Sequence, residues 1–348
     1  MALVDLTAAQ ALFEPEPGYL NTASYGLPPR PAWDALQAAL AEWRVGGSDW
    51  EPWGASIGRS RASFARLTGV SPADVSTGAQ VSQLLAPIAS ALPDGARVVT
   101  PDIEFTSNLF PWLTQAHRGV EVRTVPAAKL AAAIDESTDL VAYSLVQSAT
   151  GEVADFDAIQ SAAAAAGAMT VVDATQACGW LPVEAGRCDA LVCGAYKWLL
   201  SPRGTAFLVT RPELRERLVP SQAGWWAGAD PHASYYGPPL RLASDARAFD
   251  ISPAWFSWVG TAPALEVIEQ VGIAAINEHD VGLANRFRAG LGLPEGDSAI
   301  VSVNVPRAQE RLAAAGVRAA VRGGNVRVSF HLYTTEADVD LALRALTG

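Results

Sequence analysis

From about residue 70 to residue 210 the chain alternates short β-branched runs with longer Ala-rich stretches, and that alternation restricts the fold more than any other feature of the sequence. The runs predict strands over 97–100, 121–125, 140–146, 169–173, 190–193 and 206–210, with intervening helices that include 81–91 and 157–166. Nearly continuous apolar strands separated by helices build a mostly parallel sheet covered on both faces. The alanine run at 162–166 is a strong helix former suited to close packing on such a sheet.

Beyond this region the pattern changes. Residues 211–260 are irregular and rich in Gly, Pro and Trp. A long helix is expected from about 262 to 291, broken near Gly272. Then come a strand over 299–305, a helix over 308–315, a strand over 317–321, a Gly323-Gly324-Asn325 turn, a strand over 326–330 and a last helix from about Glu336. This reads as a smaller second domain of α/β sandwich type. Half of the 348 residues are apolar and 18% are charged, which excludes a disordered chain and leaves room for both units.

A net charge of −11 lacks the basic footprint of a nucleic-acid binder, so no nucleic-acid partner is expected. No stretch approaches eighteen uninterrupted apolar residues and the N-terminus lacks a basic flank with an apolar run, so neither a membrane span nor a signal peptide is expected. Cys178, Cys188 and Cys193 have neither zinc-ligand nor CxxC spacing and read as buried thiols of a cytoplasmic protein. The four histidines are widely scattered, and no metal site is expected.

The basic residues are more informative. Of 25, only Lys129 and Lys197 are lysines; the rest are arginines. A composition that uses Arg wherever charge alone is needed draws attention to any amine that must lose its proton, which Arg cannot do. Lys197, in GAYKWLLSPRG, follows the strand at 190–193, and Asp173 ends the strand at 169–173. Open α/β sheets bind ligands at these carboxyl ends. A lysine to form a Schiff base and a carboxylate to keep a pyridine nitrogen protonated are what pyridoxal 5'-phosphate requires. A structural ion pair has the same composition, and position alone does not separate the two. Thr77-Gly78-Ala79-Gln80 precedes a helix whose free N–H groups suit a phosphate, and Phe105 offers a flat ring for stacking or for simple packing.

With these residues in place, the chain resembles class V of the aminotransferase superfamily, fold type I of the pyridoxal-phosphate-dependent enzymes. The resemblance runs from YLNTASYGLPP at residue 19 to RVSFHLYTTEADVD near the end. It implies an α/β fold with a mostly parallel, seven-stranded-type sheet between helices and a smaller α/β C-terminal domain. The large pyridoxal-phosphate-binding domain would span 15–260 and the small one 261–348, with residues 1–14 packed on or near the latter. In Asp173-Ala174-Thr175-Gln176, the Asp would meet the pyridine nitrogen and Gln176 the ring hydroxyl; Lys197 follows 24 residues after Asp173. Ala79 and Gln80 fall in the phosphate turn, Phe105 where many relatives stack a histidine, and Tyr196 where a hydroxyl reaches the phosphate. Ser252, in Phe249-Asp250-Ile251-Ser252-Pro253, matches the residue that reaches a neighbouring subunit's phosphate, which implies a homodimer with shared active sites. Tyr196 and Gly224-Trp225-Trp226 also resemble kynureninase.

For the substrate, an amino-acid-type small molecule, the resemblance implies Arg327 as the α-carboxylate ligand. Strand periodicity sets Arg327 and Ser329 on the open face, away from Val326, Val328 and Phe330. Asn21 and Tyr25 lie in the family's substrate-side segment, and Trp50 and Trp53 are placed either at the entrance or in packing under a long loop. The chemistry expected is Cα-proton abstraction by Lys197. No cysteine follows Cys193 to accept sulfur, which disfavours a desulfurase. Aminotransferase activity is the leading expectation; a C–S or other Cβ lyase and kynureninase-like or epimerase-like activity are the enzymatic alternatives. A degenerate cofactor-binding or partner-binding fold is the non-enzymatic one.

Overall fold

A computed structural model describes residues 5–348. Its strands are β1 (Val75–Gly78), β2 (Arg97–Pro101), β3 (Glu121–Val125), β4 (Leu140–Ser144), β5 (Met169–Asp173), β6 (Ala190–Gly194), β7 (Ala206–Thr210), β8 (Ile300–Val303), β9 (Ala320–Arg322) and β10 (Asn325–Ser329). Helices α1 (Leu6–Gln10), α2 (Arg30–Arg44) and α3 (Trp50–Thr68) precede the sheet; α4 (Val81–Ala91), α5 (Thr106–Leu113), α6 (Phe156–Ala166) and the short α7 (Pro212–Arg215) interleave with it. Then come α8 (Trp255–Val271), α9 (Ile273–Gly290), α10 (Ala308–Ala314) and α11 (Glu336–Thr347).

The large sheet has seven strands in the order β1-β7-β6-β5-β4-β2-β3, and β7 alone runs against its neighbours. It is the mostly parallel α/β sheet expected. Apart from the edge strand β3, its strands are largely apolar on both sides because both sides are covered. Val141, Tyr143, Leu191 and Phe207 enter one core with Phe64 of α3, while Leu140, Ala142, Val192 and Leu208 enter another with Leu84, Leu85 and Ile88 of α4. A second sheet, β8-β10-β9, packs with α9, α10 and α11 around Phe287, Val328 and Phe330.

Several expectations are corrected. The helix expected from about 262 starts earlier, at Trp255, while the break expected near Gly272 is present as a bend of 83° (φ 86) between α8 and α9. β1 was not anticipated: its four residues pair only with β7, more than a hundred residues away. The strand expected over 317–321 begins at Ala320, because Val317 packs into the core beside Leu312 while residue 318 is drawn to Gly18 by Arg318 N–H donation at 2.9 Å. For Trp50 and Trp53 the packing alternative is the one seen: both lie in the first turn of α3, with Trp50 5.2 Å from Trp225 and 5.8 Å from Trp226 of the irregular segment before α8, and Trp53 5.1 Å from Phe256. Of the segment expected to pack near the small domain, residues 1–4 lie outside the described residues, and Phe13 stands 5.3 Å from Tyr333. Among the described residues, no single helix is long and apolar enough to cross a membrane.

Candidate active site

β5 and β6 are parallel neighbours, with Asp173 in register with Val192. Their carboxyl ends therefore deliver Asp173 and Lys197 to the same edge of the sheet. The chain reverses sharply just after β6: Ala195 N–H donates to Thr205 O at 3.0 Å, Leu200 N–H to Lys197 O at 3.2 Å and Ser201 N–H to Ala195 O at 3.2 Å. Leu200 adopts φ 58 in this turn, a left-handed conformation that costs a branched residue on the order of 1–3 kcal/mol and persists only where its surroundings hold it. Gly26 supplies part of that hold. Its N–H donates to Tyr196 O at 2.9 Å, and a Cβ there would stand 1.9 Å from the Lys197 carbonyl oxygen.

A cleft of about 440 Å³ opens over these strand ends, and Ala79, Gln80, Phe105, Asp173, Gln176, Tyr196 and Lys197 all line it. The Lys197 amine lies 5.4 Å from the centre of the Phe105 ring and 5.7 Å from that of Tyr196. Burial lowers its pKa to about 8, opposed by the Asp173 carboxylate and reinforced by Arg327. Asp173 is itself pushed upward by burial, while the Thr175 N–H that donates to it at 2.8 Å and the lysine both favour its charged form. On the opposite side, α4 starts at Val81 with no side chain capping its first turn. Gly78 makes room there, since a Cβ would meet Gln83 Oε1 at 2.4 Å. An uncapped helix N-terminus, a buried carboxylate and a depressed amine around one cleft fit pyridoxal 5'-phosphate: phosphate at α4, ring nitrogen at Asp173, aldehyde carbon at Lys197.

Gln176 lines the cleft as expected, but its amide is already committed. Nε2 donates to Ala23 O and Ser148 Oγ, each at 3.0 Å, and Oε1 accepts from Trp198 Nε1 at 2.7 Å. Ser148, which the sequence reading passed over, connects this network to Arg327: the guanidinium donates to the Ser148 carbonyl, to its hydroxyl at 3.2 Å and to Ser24 Oγ at 2.8 Å.

The open face expected for Arg327 and Ser329 is corrected, because both are buried. The segment around residues 20–23 lies across that face, with Ser329 N–H donating to Leu20 O at 3.0 Å and Ala23 N–H to Ser329 Oγ at 2.9 Å. Arg327 does not line the cleft directly, and among the described residues no carboxylate pairs with it. Its Nε is buried without a partner, and burial, aided by Arg322, lowers its pKa to about 10.

The other expected residues are dispersed. Asn21 lies outside the cleft, its Oδ1 buried without a partner. Tyr25 is exposed, its ring 5.7 Å from Tyr196 and its hydroxyl accepting from Arg203 N–H at 3.3 Å. Ser252 is exposed and stands outside this chain's cleft; Asp250, two residues earlier, turns inward to Arg61 and accepts from Thr77 N–H at 2.7 Å. Glu104 was also missed, although it adjoins Phe105. Buried, it accepts from Ser144 N–H at 2.7 Å and from Phe105 N–H at 2.8 Å, and burial raises its pKa. The three cysteines are buried, as read from their spacing, and burial pushes Cys188 up to about 12.

Comparison with known proteins points to one family. The family model described as aminotransferase class-V matches residues 61–314. An isopenicillin N epimerase from Streptomyces clavuligerus is 29% identical across 100% of both chains. A kynureninase from Deinococcus radiodurans is 30% identical over 77% of this chain and 70% of its own. Among solved structures, the cystine C-S lyase C-DES superposes with a TM-score of 0.85 at 19% identity, covering 95% of this chain and 98% of that one, which is a likeness of fold. The chain belongs to the aminotransferase class-V family, and pyridoxal 5'-phosphate is the cofactor its cleft accommodates.

Proposed function

We propose that this protein is an aminotransferase that acts on a small amino acid, with Lys197 moving the Cα proton and Arg327 receiving the α-carboxylate. When bound, pyridoxal phosphate supplies the electron sink that lets Cα–H ionise. The observation that carries the reading is the Lys197 amine. Buried, with a pKa near 8, it is free in roughly a tenth of molecules at pH 7, far more than an ordinary lysine, and it shares the cleft with no histidine or cysteine among the described lining residues. One lysine that both removes and returns the proton is sufficient for transamination. Arg327 supports the substrate class, because a buried guanidinium with an unpartnered Nε and no carboxylate beside it suits an incoming carboxylate.

A Cβ–S lyase is the second reading, favoured by Tyr196. Burial raises this phenol above its ordinary value, so it keeps its proton and is able to protonate a leaving group. The exposure of Ser252 outside its own cleft supports a homodimer in which each copy completes the other's phosphate site.

The two chemistries separate when the full chain loaded with cofactor is given L-alanine, L-cysteine and an S-substituted cysteine. Transamination predicts conversion to pyridoxamine phosphate without pyruvate from the thioether. Pyruvate from the thioether over many turnovers with no keto acid present establishes the lyase instead. A preparation that takes up no added cofactor overturns both. Light scattering tests the dimer, which predicts twice 36.5 kDa.

A further inference from the structure

Away from the cleft, Asp280 of α9 and His331, just past β10, form a carboxylate–imidazole pair with neither side chain exposed. His331 Nδ1 lies 2.8 Å from Asp280 Oδ2, and Nε2 lies 3.0 Å from the carbonyl oxygen of Trp198. A carbonyl oxygen only accepts, so Nε2 carries a proton, and one further proton is shared between Nδ1 and the carboxyl. The unit is then neutral overall, the form in which burial costs least. Among the described residues Asp280 Oδ1 finds no partner, so the pair's side chains serve this one carbonyl.

That carbonyl belongs to the residue directly after Lys197. The same Trp198 donates its indole N–H to Gln176, and its ring meets the His331 ring edge-on at 5.3 Å. His331 in turn lies four residues beyond Arg327 on one continuous segment. A closed circuit of contacts therefore runs from Arg327 through Ser148, Gln176, Trp198 and His331 back to the strand that carries Arg327.

We propose that Asp280 and His331 are positioning residues for Lys197: by holding the Trp198 carbonyl they fix the peptide one residue beyond the lysine, and so the turn from which the lysine reaches into the cleft, and they tie it to the strand bearing Arg327. The inference rests on the role given to Lys197 above. Neither residue lines the cleft, so they act only through the Trp198 backbone that adjoins the lysine.

Asparagine and glutamine at position 331 divide the two contacts. A glutamine amide reaches the position of Nε2 and keeps a donor to Trp198; an asparagine amide stops at the position of Nδ1 and keeps only Asp280. The measurement is the rate at which pyridoxal phosphate becomes attached to Lys197 of the full chain, trapped with borohydride and located by peptide mass spectrometry, with the exposed Lys129 reporting background. H331N should slow attachment by about a hundredfold, the order expected when a reacting group is displaced by an ångström, while H331Q stays close to wild type. Equal slowing in both, or in neither, overturns the proposal.

Should the His331 variants fail to fold, D280N and D280A provide the same contrast. Asn donates to Nδ1 and leaves the proton on Nε2, whereas Ala lets the proton move to Nδ1 and sets Nε2 against the carbonyl lone pair. D280N should attach cofactor faster than D280A, and equal rates overturn the proposal. A wild-type chain that attaches no cofactor at Lys197 removes the catalytic reading itself, a result distinct from any contrast between variants.

Discussion

Arg61 and Arg327 are both buried guanidinia, and they differ in what faces them. Arg61, on α3, meets Asp250, whose side chain is 1% exposed, and also donates to the Val75 carbonyl at the start of β1. Arg327, on β10, meets two serines and leaves Nε without a partner. A buried charge needs an opposite charge or a full set of hydrogen bonds, and only the first arginine has them. Arg61 therefore belongs to the scaffold: with Asp250 it pins the 249–253 segment to the strand that leads into the α4 turn. Under the proposed function Arg327 is a binding group, and the anion it lacks would be the substrate's carboxylate.

The contrast is most exposed to failure at Asp250. D250A leaves Arg61 buried and unpaired, a change that costs about 3–5 kcal/mol of stability, read from the urea midpoint. R327Q removes a cation that has no carboxylate, so its midpoint should stay at or above that of wild type. A D250A chain as stable as wild type would erase the distinction. R327Q should instead lose about 2–5 kcal/mol of substrate carboxylate binding, roughly 30- to several-thousand-fold in kcat/KM. If R327Q lowers stability and leaves kcat/KM untouched, the two arginines have the same structural role.

The same pair shows what was legible in the sequence. Local patterning marked helix α4 and strands β3, β5 and β7 to the residue: β5 and β7 send alternate residues into two cores, and the edge strand β3 was marked by its β-branched run although its residues are mostly exposed. Asp173 and Lys197 were visible for the same reason, since each follows or ends such a strand. The strand period around Arg327 was also read correctly. Its burial was not, because the cover comes from residues 20–23, about 300 positions away, and no local pattern announces it. Asp250, Ser148 and His331 escaped similarly: their partners Arg61, Arg327 and Asp280 lie 189, 179 and 51 positions distant. Trp50 and Trp53 left two readings open because an aromatic cluster formed between distant segments looks, from one segment, like the wall of a site.

A simple carboxylate should distinguish the arginines without mutation. If Arg327 is an anion site, propionate at about 100 mM with a dissociation constant of about 10 mM stabilises the folded chain by about 1.4 kcal/mol. The shift should vanish in R327Q and persist in R61K, in which Asp250 still has a cation opposite it. Equal stabilisation in wild type and R327Q would mean that propionate binds elsewhere.

The smallest expected effect is electrostatic and concerns Lys197. The amine titrates at about 8 because burial disfavours its ammonium form, and the Arg327 charge pushes in the same direction. Cofactor attachment should therefore rise through pH 8 and level off above it, since below that pH the lysine is protonated and does not attack. Removing the positive charge in R327Q makes the ammonium easier to keep, so the midpoint should move to higher pH. Arg61 is absent from the charges that act on Lys197, and R61K should leave the midpoint in place. Salt gives the control: chloride attracted to an unpaired Arg327 screens its charge and shifts the wild-type midpoint toward that of R327Q, whereas R327Q itself should respond little. A midpoint that is identical in wild type and R327Q would place the guanidinium too far from the amine to serve the same substrate molecule, and Arg327 would have to be reassigned to the scaffold alongside Arg61.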